Sequence, residues 1–69
     1  MERYRNRDSG VKAYQISTNH ILVKFDSFKT YKYSYKKAGQ FKVEKMKMLA
    51  VRGKGLNSFI NRYAKYSYD

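Results

Sequence analysis

The chain has no cysteine, one histidine and five acidic residues among 69, and each scarcity removes a class of chemistry. Without cysteine there is no disulfide framework, no thiolate zinc site and no cysteine nucleophile. A small chain that does without such staples suits a reducing compartment. The single histidine, His20, with Asp26 and Glu44 as the acids of the middle of the chain, assembles neither a zinc site nor a hydrolytic one. Ser17, Ser27, Ser34 and Ser58 lie in no motif that would activate a hydroxyl. The expectation is a protein that is not an enzyme, with no catalytic residue, cofactor or metal. Apolar runs such as Ile21 to Val23 fall far short of the roughly 20 residues a membrane span requires. The first residues carry no apolar signal region. A soluble, cytoplasmic protein with no membrane partner is expected.

What the chain has in excess is positive charge, a net +11. Its distribution says more than its size. Residues 1 to 10 carry +1, residues 11 to 39 carry +5, residues 40 to 55 carry +4 and residues 56 to 69 carry +1. The first segment is nearly neutral because Glu2 and Asp8 offset much of Arg3, Arg5 and Arg7. The excess lies in Lys29, Lys32, Lys36, Lys37, Lys42, Lys45, Lys47, Arg52 and Lys54, with Glu44 the one acid among them. Such a field draws anionic partners and gives fast, salt-sensitive association. Nucleic acid leads, an anionic membrane or acidic protein comes next, and a surface that serves only solubility is the plain alternative.

At this length the chain forms one domain and buries only about 60% of the surface its unfolded form exposes, so every large apolar side chain counts. Met1 to Gly10 shows no periodicity and ends in Ser9-Gly10, which predicts a mobile lead-in. Val11 to Ser17 alternates, with Tyr14 and Ile16 on one face and Ala13 and Gln15 on the other. Thr18-Asn19 supplies a tight turn. His20 to Asp26 alternates again and places Ile21, Val23 and Phe25 on one side. A short turn over Asp26 to Lys29 leads to Thr30–Tyr35, where Tyr31, Tyr33 and Tyr35 recur at period two. Those rings share the aliphatic face, so they are read as core and not as a stacking platform. Lys12, Lys24 and Lys32 then mark the open side.

After Lys36-Lys37-Ala38-Gly39 the period becomes helical. Val43, Met46, Leu49 and Ala50 form a buried stripe, which predicts a helix over Gln40 to Arg52 ended by Gly53. A second stripe, Phe41, Lys45, Met48 and Arg52, mixes apolar and basic residues. It packs against the chain's own elements or meets a partner. Gly53-Lys54-Gly55 is a turn between helices or an anion contact; the Lys-Ser or Lys-Thr of a Walker loop is absent. Leu56, Phe59, Ile60, Tyr63 and Tyr66 mark one face of a second helix. Asn57 caps that helix or touches a base or phosphate. The fold class that follows is α+β, a three-stranded antiparallel β-meander followed by two helices packed on one face, in the order β-β-β-α-α. It occupies residues 11 to 69 as a single domain.

Phe25 followed by Tyr31-Lys32-Tyr33, together with GKGLNSFINRY from Gly53 to Tyr63, resembles the KTSC domain family, whose shared mark is a central Tyr-x-Tyr. The resemblance spans Val11 to Tyr63. It departs at Asp26 to Lys29, where members often carry a glycine and this chain has Ser27-Phe28, and in the proline that commonly follows the tyrosines. The family consists of short bacterial modules, found alone or at the C-terminus of some lysyl-tRNA synthetases. RNA binding is proposed for it, so the resemblance implies a partner class and no reaction. The candidate nucleic-acid-binding residues are Lys32, Lys36, Lys37, Lys42, Lys45, Arg52 and Lys54, with RNA favoured over DNA. A protein partner through the Phe41 and Met48 stripe or an open sheet edge, or self-association, are the competing readings.

Overall fold

A computed structural model describes residues 1–6 and 10–69. Four strands, β1 (Glu2–Arg3), β2 (Val11–Ile16), β3 (His20–Phe25) and β4 (Thr30–Ser34), make one antiparallel sheet in chain order. The pairs Ile21 with Tyr33 and Val23 with Tyr31 set the tyrosines on the aliphatic face, as alternation requires. At the β2–β3 turn the Ser17 N–H donates to the His20 carbonyl at 3.0 Å, with Thr18 and Asn19 between them.

The fourth strand corrects the expected three. The segment read as a mobile lead-in supplies β1, which pairs Glu2 with Tyr14 and Arg3 with Ala13. It also buries Tyr4, 3% exposed, whose hydroxyl accepts the Leu56 N–H at 3.1 Å. Two residues are too few to show a period, and a single aromatic among charges gives no pattern. The remaining part of that expectation, residues 7–9, lies outside the described residues.

A second correction is in β2, where strict alternation separates Val11 from Tyr14. The register shifts between Val11 and Ala13, so Lys12 is an extra residue, and Val11 and Tyr14 are both buried. Ile16 keeps the Tyr14 face, opposite Ile21, but is exposed at the strand's end.

Tyr35 does not continue β4. Ser34 caps a single turn, α1 (Tyr35–Ala38), by accepting the Lys37 N–H on its hydroxyl at 3.2 Å. Helix α2 runs Gln40–Arg52, the range the period predicts, and buries Val43, Met46, Leu49 and Ala50. Gly53 closes it at φ 78°, its N–H donating to the Leu49 and Ala50 carbonyls. A Cβ there would lie 2.9 Å from Arg5 Cβ, so the first segment packs against this helix end.

Helix α3 (Leu56–Phe59) passes into a π-helical turn, Ile60–Ala64. Leu56, Ile60 and Ala64 are buried in steps of four, while Tyr63 and Tyr66, expected on that face, are exposed. The wider turn changes which residues point inward. Asn57 makes no capping hydrogen bond, and its side chain packs beside Gly10 instead. The buried residues of sheet and helices form one core, in which Tyr33 lies with Ile21, Val23, Met46 and Leu56.

Candidate nucleic-acid interface

The seven candidate cations fall in three places. Lys32 is exposed on β4, opposite Leu22 and therefore on the face away from the core. Lys36 and Lys37, on α1, line an open cavity of about 620 Å³ with Ser34, Tyr66, Tyr68 and Asp69. Lys42, Lys45 and Arg52 lie along α2, and Lys54 follows in the loop. At 1.5 Å per residue, Lys42 and Arg52 stand about 15 Å apart along the helix axis. The structure thus brings Lys36 and Lys37 together and spreads the others along α2 and the sheet. Among the described residues, none of the seven forms an ion pair.

Lys47 shows why a count of lysines overstates the outward charge. Its ammonium pairs with Glu44 at 2.7 Å, donates to the Thr18 carbonyl at 3.0 Å and sits 5.3 Å from the centre of the Tyr35 ring. Tyr35 donates its hydroxyl to the same Glu44 carboxylate. This cluster fastens α2 to α1 and to the β2–β3 turn. Burial opposes the charge on Lys47, but its hydrogen bond and ion pair with Glu44 outweigh it and hold the ammonium above its ordinary pKa. Hydrogen bonds from Lys47 and then Tyr35 hold Glu44 below the usual carboxylate range, and the bond to Glu44 raises the Tyr35 phenol.

Asp69 is engaged in a similar way. Its carboxylate accepts the Ser34 hydroxyl at 2.7 Å and the Ser34 N–H at 3.2 Å, while its own N–H donates to the Lys32 carbonyl at 2.8 Å. Those are groups of β4 that face away from β3, so the chain closes part of its own sheet edge. Tyr68 lies across Tyr31 and Tyr33, with ring centres 4.6 Å and 6.5 Å away. Hydrogen bonding from Ser34, helped by the charges of Lys32 and Lys37, keeps the Asp69 carboxyl below its ordinary pKa. Glu44 and Asp69 are thus each engaged by partners within the fold. Spacing could not have found the Asp69 contact, which joins residues 35 positions apart.

The face of the sheet away from the helices carries Arg3 opposite Ala13, Lys24 opposite Ala13 and Thr30, and Lys32 opposite Leu22. Sequence reasoning found Lys24 and Lys32 there and missed Arg3, which joins that face only because β1 exists. Phe41, 82% exposed, and Met48 border a shallow groove of about 530 Å³ with Gln40, Glu44 and Lys45. That stripe does not pack on the chain's own elements. His20 is half-buried beside the β2–β3 turn, with Nδ1 3.1 Å from Asn19 Oδ1. Among the described residues, no three His, Cys, Asp or Glu side chains are grouped as a metal would require, and no helix is long and apolar enough to cross a membrane.

No family model, curated protein or solved structure matches this chain.

Proposed function

We propose that this chain is a small non-enzymatic module that binds nucleic acid, RNA in preference to DNA, through its phosphates and with little sequence discrimination. The observation that carries the reading is the fate of the acids. Glu44 and Asp69 are consumed by contacts within the fold, while Lys32, Lys36, Lys37, Lys42, Lys45, Arg52 and Lys54 stay without ion-pair partners among the described residues. Six of these seven are lysines, point charges that meet a phosphate well and lack the bidentate fork that reads a base edge. The resemblance of Tyr31-Lys32-Tyr33 and Gly53 to Tyr63 to the KTSC family points to the same partner class. The test is fluorescence anisotropy with labelled single-stranded RNA at low salt. Changing Lys36, Lys37 and Lys45 to Glu should abolish binding.

A second reading, a protein-interaction module, is favoured by one feature, the exposed Phe41 and Met48 stripe of α2. On that reading Met48→Glu removes partner binding and the three lysine changes matter little.

A further inference from the structure

The turn between β3 and β4 holds an unusual residue. Phe28 has φ 66°, the left-handed region that favours glycine, and is the one described non-glycine residue with positive φ. Its N–H donates to the Phe25 carbonyl at 2.9 Å, and the Phe25 N–H donates to the Lys29 carbonyl at 3.0 Å. That is a tight turn followed by a left-handed residue, a position where glycine is the least strained choice. The chain nevertheless places there a phenylalanine that is 81% exposed. A side chain that gains no burial and strains its own backbone is not explained by folding, and such outliers gather at binding sites.

The surroundings indicate what it binds. The Lys24 ammonium lies 5.6 Å from the centre of the Phe28 ring. Lys24 belongs to the open sheet face, with Arg3 and Lys32. Among the described residues, the charged strand residues on that face are Arg3, Lys24 and Lys32, and Asp26 and Lys29 flank the ring in the turn. An exposed aromatic at the corner of a cationic sheet face matches the combination that holds single strands, a base stacked on the ring and phosphates on the lysines.

We propose that Phe28 stacks on an unpaired base of single-stranded nucleic acid whose phosphates run over Arg3, Lys24 and Lys32. This rests on the nucleic-acid reading above and adds to it a face and a preference for unpaired strands. A duplex offers no free base to the ring, so Phe28 contributes to single-strand binding alone.

Two variants test this. Phe28→Gly relieves the left-handed backbone, so the fold should melt at a higher temperature, while affinity for a labelled oligouridine should fall about 5- to 100-fold. Affinity for a duplex RNA should not change. Phe28→Trp should keep oligouridine binding, and because the chain has no other tryptophan, its fluorescence should be quenched as a base stacks. If the parent chain binds oligouridine and Phe28→Gly binds it equally well, the stacking proposal is overturned and phosphate binding stands. If the parent chain binds no RNA at low salt, both fall.

Discussion

Ser34 and Asp69 are joined by three hydrogen bonds, from the Ser34 hydroxyl to the two carboxylate oxygens at 2.7 Å and 3.0 Å and from its N–H at 3.2 Å, across 35 residues. One side chain of β4 thereby ties Asp69 and α1 to the sheet, since the Ser34 hydroxyl also caps α1 by accepting the Lys37 N–H. The Asp69 carboxyl is held below its ordinary pKa by these bonds. Its contribution is therefore present at neutral pH and is lost as pH falls through the lowered value. Asp69→Ala should speed amide exchange of Ser34 and free the Tyr68 ring from Tyr31 and Tyr33, read by hydrogen exchange and by NMR of the ring resonances. Unchanged protection of Ser34 would show that Asp69 does not hold this edge.

Tyr4 decides whether the first residues belong to the domain. Tyr4→Phe leaves the buried Leu56 N–H without its acceptor and should cost about 1–3 kcal/mol. Tyr4→Ala empties an aromatic site and should cost about 3–5 kcal/mol. Denaturant unfolding measures both. A loss under about 0.5 kcal/mol for Tyr4→Ala would return residues 1–6 to the status of a lead-in.

Tyr33 should titrate late. Burial first, then the neighbouring Tyr31 and Tyr68, push its pKa up to about 12 from an ordinary 10.0. A phenol whose folded pKa is raised binds its proton more tightly in the native state, so stability is intact below pH 10 and falls between about 10 and 12. Absorbance titration near 295 nm should show a late phenolic component that shrinks in Tyr33→Phe, the raised Tyr35 phenol remaining.

The two methionines flanking Lys47 should respond in opposite ways. Met46 is fully buried, so Met46→Ala should cost about 2–5 kcal/mol. Met48 is exposed, and Met48→Ala should change stability by no more than about 0.5 kcal/mol. Equal costs would mean that the outward face of α2 is wrongly assigned.

Long periodic segments were legible in the sequence. The stripe Val43, Met46, Leu49 and Ala50 gave α2 its range, and the alternation through Ile21, Val23, Tyr31 and Tyr33 gave the core face of the sheet. What escaped was short or non-local. β1 is two residues long, Lys12 breaks an otherwise regular strand, and Tyr35 leaves its period because Ser34 starts a helical turn. On the candidate surface, composition announced the cations. It could not show that Lys47 is spent on Glu44 and Thr18, that Arg3 reaches the open face, or that Phe28 sits in a glycine-like turn. Each of these depends on which residues meet in space.

The most direct test of the account is the salt dependence of RNA binding. Phosphate contacts made by lysines release counterions, so log K for a single-stranded RNA should fall linearly with log salt, with a slope of about −0.7 per phosphate engaged. A steep slope for the parent chain, with binding lost when Lys36, Lys37 and Lys45 become Glu, is the predicted result. A parent chain that shows no binding at low salt, or binding indifferent to salt, would contradict it.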